Sequence, residues 1–217
     1  ALLGVLAGLG VVTFGLSNLM GLRQKDARRM LGYSSVAQIG LVVAAVSFAR
    51  LQGWSAATTL LVAGGVLVNH LLAKGGLFWL AGITGFASLA RLAEKLQGRR
   101  GLLILAGVFV VALAGLPPFP TFWAKWALIS ELMSSGQILW VIVILTGSLF
   151  EATYVFRFLG AAVTPAVLGT TAEAAAAPGA GRNGVATLAP GLFGLLLLLL
   201  GVVSAWLFGF RETLLFV

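Results

Sequence analysis

No cysteine occurs in the 217 residues, histidine occurs once, and acidic residues number six. Without cysteine, the chain holds no disulfide, iron–sulfur cluster or thiolate metal site of its own. One histidine without paired carboxylates leaves no ligand set for a protein-built metal centre. Charge of either sign is scarce: 9% of residues are charged, against about 25% in soluble domains.

What is abundant is apolar. Hydrophobic residues make up 60% of the chain and the mean hydropathy is +1.07. This is the composition of an all-α polytopic membrane protein. The net charge of +8 sits mainly in short basic loops that flank apolar runs. That pattern fits the positive-inside rule and a lipid bilayer as partner, with no nucleic acid. Ala1 already lies inside an apolar run, with no basic n-region or cleavage site before it. This is no signal peptide, and it is what a piece of a longer chain would show.

Apolar runs and their breaks predict six spans. The first is 1–22, followed by the basic turn 23–29. The second is 30–49 and the third about 55–86, longer than the roughly 20 residues a crossing needs. A basic amphipathic stretch with Arg91, Lys95, Arg99 and Arg100 follows and reads as an interfacial helix. Residues 101–135 hold two apolar stretches, each short for a crossing, which read as two halves of one broken helix. The fifth span is 138–163. A flexible Ala/Gly-rich loop over 164–185 leads to a last span, 186–210, whose Leu195–Leu200 run is expected to face lipid. Counting the broken helix as one crossing places the turn 23–29, the stretch 87–100 and the loop 164–185 on one side, the cytoplasmic one.

Charges inside these spans are the candidates for chemistry, since each is costly in hydrocarbon. Lys125 follows Pro117, Pro118 and Pro120, which break the helix and free backbone carbonyls. A broken helix beside an intramembrane charge is the usual build of an ion path in transporters. The alternative is a lysine snorkelling to the interface, which the neighbouring Trp123 and Trp126 favour. His70 and Lys74 share one face of the third span, and together they could pass a proton. Their alternative is a structural polar pair bonded to backbone carbonyls. Gly64, Gly65, Gly75 and Gly76 allow neighbouring helices to come close. Glu151 is the one carboxylate deep in a span, with Lys125 or Lys74 as possible partner. Arg157 and Glu131 read as interfacial, Arg28 and Arg29 as topology anchors, and Asp26 as a cap for the second helix.

Four runs resemble a known family. Lys25-Asp-Ala-Arg-Arg-Met-Leu-Gly-Tyr-Ser-Ser-Val-Ala-Gln-Ile-Gly40 resembles the D-x-K-R-x-L-A-Y-S-S-x-x-Q-x-G signature of the antiporter-like membrane subunits of respiratory complex I. Large subunits of Mrp antiporters and of membrane-bound hydrogenases share that signature. His70 through Phe78 resembles the family's H-x-x-x-K-x-x-L-F. Gly115-Leu-Pro-Pro-Phe with Lys125 resembles the G-x-P stretch before the broken-helix charge, and Tyr154-Val-Phe-Arg157 also fits. Arg28 and Gly32 depart from the usual lysine and alanine.

The resemblance implies one five-helix repeat of the antiporter-like fold over residues 1–163, plus a final helix over 186–217. It covers the second of the family's two inverted repeats and not the first, with its glutamate–lysine pair. It implies proton translocation, with His70 and Lys74 on a central polar axis and Lys125 as a terminal, gated site near the opposite surface. It further implies a multi-pass subunit of the inner (cytoplasmic) membrane, partnered by other membrane subunits of a hetero-oligomeric, redox-driven complex. No cofactor is expected in this chain, which would be a non-redox subunit of an oxidoreductase. An Mrp-type sodium/proton antiporter, an inorganic-carbon uptake subunit and a degenerate scaffold of a membrane arm remain as alternatives.

Overall fold

The computed structural model describes residues 1–84, 99–163 and 184–215, with side chains described within 1–83, 99–161 and 188–209. Among these residues every element is a helix: α1 Leu2–Leu22, α2 Ala27–Gln52, α3 Ala56–Thr84, α4 Arg100–Ala114, α5 Pro120–Ser134, α6 Ile138–Val163 and α7 Gly184–Leu215. Five of them, α1, α2, α3, α6 and α7, are long and apolar enough to cross a membrane. The expected interfacial helix falls on residues outside the described ones, except for Arg99 and Arg100 at the start of α4. The expected flexible loop lies outside them up to residue 183.

α2 starts earlier than the apolar pattern predicts, because Asp26 caps it. The Asp26 carboxylate accepts the Arg29 amide at 2.9 Å, the N-cap bond that satisfies an otherwise orphaned donor. Arg28 and Arg29 thus fall in the first turn of a helix, both exposed.

The two short helices, α4 and α5, are 15 residues each, below the roughly 20 of a full crossing. They run end to end. Gly107 of α4 stands against Leu159 of α6, and Lys125 of α5 against Glu151 of α6. On α3, Gly65 abuts Ala124 and Pro120, Asn69 reaches Ala112, and Gly76 abuts Phe109. Both neighbours therefore pass the pair in strict antiparallel order, as they would pass one continuous helix. A hairpin would have reversed the order halfway. The two short helices stack as the two halves of one broken helix.

The break begins with a Schellman-type end. Gly115 has φ +72°, its amide donates to the Ala112 carbonyl, and the Leu116 amide donates to the Val111 carbonyl. This is the six-to-one and five-to-two pairing that closes a helix on a left-handed residue. Pro120 then opens α5 at a position where a missing N–H costs nothing.

The apolar core is split in two. One cluster joins Met30 and Leu31 of α2, Leu77 and Leu80 of α3, Phe109 of α4 and Phe158 of α6. The other joins Phe14 of α1, Leu41 and Phe48 of α2, Val66 of α3, Leu128 of α5 and Ile144 of α6. Most of the buried polar residues fall between the two clusters or at their borders, among them Asn18, Ser34, Gln38, Asn69, His70, Lys74, Lys125 and Glu151. The bundle is thus a polar layer between two dry ones.

At one end, Arg157 donates to the carbonyls of Leu22 at 2.6 Å and Gln24 at 2.7 Å. It ties the end of α6 to the α1–α2 turn, filling acceptors that the end of α1 leaves open. Leu102 of α4 joins the same cluster as Ala27 and Leu80. The described ends of the three connections expected on one side do gather at one end of the bundle.

α7 is only partly as expected. Leu195 and Leu199 are exposed, but Leu197 is fully buried in the first cluster. Gly201 lies against the Pro118 carbonyl, so one face of α7 backs the break. A one-sided burial is the ordinary result when a uniformly leucine-rich helix docks along a single stripe.

Candidate functional site

Every charged residue predicted for the ion path is buried, and all four lie in the polar layer. Lys125 is 7% exposed and Glu151 0%. Lys125 therefore does not snorkel. Its Nζ lies 3.2 Å from Glu151 Oε2 and 5.9 Å from the centre of the Phe14 ring, within cation–π range. The neighbouring Trp126 faces outward, and Trp123 packs its ring 5.4 Å from that of Phe208. The tryptophans turn away from Lys125 because successive helix positions face different directions.

Glu151 is held from three sides. Besides Lys125, its Oε2 accepts from Gln38 Nε2 at 2.5 Å, and its Oε1 accepts from Ser34 Oγ at 3.1 Å. Of the two partners open to it in the sequence, Lys125 is the one in ion-pair contact. A buried carboxylate needs this density of donors to offset the hydration it gives up.

Lys74 is 4% exposed and rests on neutral oxygens. Its Nζ donates to the Leu31 carbonyl and, at 2.9 Å, to Ser35 Oγ. The other nearby base, His70, lies with Nε2 3.4 Å from the same Ser35 hydroxyl. Ser35 Oγ also reaches the Leu31 carbonyl at 3.2 Å. Adjacent serines on α2 thus join two groups: Ser34 holds the Glu151–Lys125 pair, and Ser35 holds Lys74 and His70.

Two more polar contacts extend the layer. Asn69 Nδ2 donates to the Ala112 carbonyl at 2.9 Å, the acceptor at the end of α4 that Gly115 also uses. Tyr154 donates to Asn18 Oδ1 at 2.8 Å. Several atoms of the layer are buried without a hydrogen-bond partner in the described chain: Asn18 Nδ2, Gln38 Oε1, Asn69 Oδ1 and His70 Nδ1. Sites with this much unused polarity are where ordered water binds. Ser34, Ser35, Gln38 and Asn69 carry no charge, and a reading focused on charges passed over them. Their signal was position: amides and hydroxyls in the middle of apolar spans.

The predicted close approaches hold at two of four glycines. Gly65 leaves no room for a Cβ beside Ala124, nor Gly76 beside Phe109, whereas Gly64 meets only Leu60 of its own helix and Gly75 has ordinary contact with Phe193. A tight backbone crossing of two helices, Gly10 on Gly40, joins α1 to α2: a Cβ on either would stand 2.6 or 2.7 Å from the other's carbonyl oxygen. Among the described residues, no group of histidines and carboxylates could hold a metal ion.

The profile of the family described as "NADH:quinone oxidoreductase/Mrp antiporter, TM" matches residues 2–151. NADH-quinone oxidoreductase subunit N of Desulforudis audaxviator is 34% identical over 214 residues, covering 95% of this chain and 40% of that protein. Subunit N 2 of Herpetosiphon aurantiacus is 32% identical over 210 residues, covering 96% of this chain and 37% of that protein. The chain thus spans about 40% of the length of these relatives. In respiratory complex I from Thermus thermophilus, one chain superimposes with a TM-score of 0.72 at 26% identity, covering 95% of this chain and 45% of that one. A chain of the Mrp complex from Dietzia shares the fold with a TM-score of 0.73 at 20% identity and the same coverage. With the family profile matching most of its length and relatives above 30% identity along nearly all of it, this multi-pass membrane chain belongs to the NADH:quinone oxidoreductase/Mrp antiporter transmembrane family.

Proposed function

We propose that the chain moves protons across the membrane as an antiporter-like subunit of a redox-driven complex. The observation that carries this reading is the polar layer itself. It holds an ion pair at a helix break, Lys125 with Glu151, and beside it a second buried lysine and a histidine, the two groups resting on adjacent serines of α2. The ionisable groups of the layer other than Glu151 and Tyr154 are nitrogen bases. Lysine and histidine carry protons; as cations or weak donors they offer sodium no oxygen cage, which favours the proton as cargo.

The arrangement supports a simple exchange. Lys125 and Glu151 hold each other while both are charged. A charge arriving on Lys74, held at the neighbouring serine of α2, competes for the field of Glu151 and loosens its hold on Lys125, which can then release its proton. The break gives the ammonium room, because Gly115 lies beside it: a Cβ there would stand 3.6 Å from Nζ. Partners would be other membrane subunits that supply the electron-transfer chemistry, in a bacterial inner membrane with the basic end at the cytoplasm. The names of the relatives support the oxidoreductase complex over an Mrp-type assembly, whose likeness is one of fold.

The test is Lys125→Ala in the assembled, reconstituted complex. Proton pumping should be abolished while assembly stays intact. Pumping at the wild-type rate would overturn the reading.

A further inference from the structure

The two bases on α3, His70 and Lys74, meet through a residue on another helix. Ser35 Oγ accepts from Lys74 Nζ at 2.9 Å and lies 3.4 Å from His70 Nε2. Among the described residues it is the one side chain with a hydrogen bond to both. Its hydroxyl also has a resting acceptor, the Leu31 carbonyl at 3.2 Å. A hydroxyl has one proton to give and lone pairs to receive one, so it can stand between two bases without ionising. Ser35 is half-buried, in a layer with an apolar cluster on each side.

We propose that Ser35 is a proton-relay residue between Lys74 and His70. This rests on the reading of the chain as a proton carrier and adds a residue to its path. In the step, a Lys74 N–H bond breaks as a new O–H bond forms on Ser35. The original Ser35 O–H bond breaks as an N–H bond forms on His70 Nε2. The lysine ends as a neutral amine, the serine as the same hydroxyl, and the histidine as an imidazolium. The hydroxyl then turns back to the Leu31 carbonyl and is reset. His70 Nδ1, buried and without a partner in the described chain, is the second nitrogen from which the proton leaves. The imidazole thus takes a proton on one side and yields it on the other.

Ser35→Ala removes one oxygen from a helix that favours alanine. Lys74 keeps the Leu31 carbonyl, so the variant should fold and assemble. Ser35→Thr restores the hydroxyl. Proton flux is measured in vesicles carrying the assembled complex, with wild type, both serine variants and Lys74→Ala side by side. A positioned proton carrier contributes about 100-fold or more to a transfer step. The expectation is that Ser35→Ala loses about tenfold or more of the flux, with water in the vacated space recovering part, while Ser35→Thr stays within about twofold of wild type. Undiminished flux in Ser35→Ala, beside a dead Lys74→Ala, would overturn the relay and leave the proposed function standing. Equal losses in Ser35→Ala and Ser35→Thr would also overturn it, since a bare packing role explains them. Wild-type flux in Lys74→Ala would bring down the lysine path and the relay with it.

Discussion

Lys125 and Lys74 are both buried in otherwise apolar helices, yet they are held in opposite ways. Lys125 faces a carboxylate at 3.2 Å. Lys74 faces a carbonyl and a hydroxyl. If Lys125 lost its proton in place, Glu151 would be left as a buried anion with only Ser34 and Gln38. If Lys74 lost its proton, two neutral acceptors would remain. The first lysine is therefore a lock, whose change of charge must be matched by a change elsewhere. The second can change charge without breaking an ion pair. Burial and residue type are the same at both sites, so it is the partner that separates a fixed charge from a movable one.

The contrast is open to direct test. Glu151→Ala should have the largest effect on stability, because it strands the Lys125 ammonium in the core. A loss of about 3–5 kcal/mol is expected for one orphaned partner of a buried pair, read by denaturation of the solubilised protein. Combining Glu151→Gln with Lys125→Met should recover most of that stability and none of the flux. Gly115→Ala comes next. It forces a side chain into the left-handed region, which costs about 1–2 kcal/mol, and sets a methyl against Thr121 and the Lys125 amine. Its stability loss should come with reduced flux. Lys74→Met should change stability least, within about 1 kcal/mol, because it orphans no charge and keeps the volume, while flux is lost. Equal destabilisation by Glu151→Ala and Lys74→Met would erase the distinction between lock and movable charge.

Much of the fold was legible in the chain. The spans follow from apolar runs longer than a bilayer needs, and the break from Pro117, Pro118 and Pro120, whose rings exclude a continuous helix. His70 and Lys74 share a face because helical spacing puts them there. The partner of Glu151 was not legible. Spacing along one helix says nothing about which neighbour presses against it, and that depends on how α6 lies along α5 rather than α3. The roles of Ser34 and Gln38 were hidden for the same reason. They fall one turn apart on α2, a pattern visible in the sequence, but only the crossing of α2 with α6 makes them a cradle. Leu197 shows the opposite limit: within an unbroken leucine run, composition cannot say which residue turns inward.

The division of the core into two apolar clusters has an electrical consequence. Glu151 sits halfway along α6, and the break lies halfway between the ends of α4 and α5, so the polar layer lies near the middle of the low-dielectric slab. A full crossing against a potential of about 100 mV costs about 2.3 kcal/mol per charge. A proton stored in this layer has crossed roughly half of that voltage, so its entry and its exit each carry about 1 kcal/mol of the electrical work. With the work divided so evenly, a membrane voltage would slow loading and release to a similar degree, and neither half-path would become the bottleneck on electrical grounds.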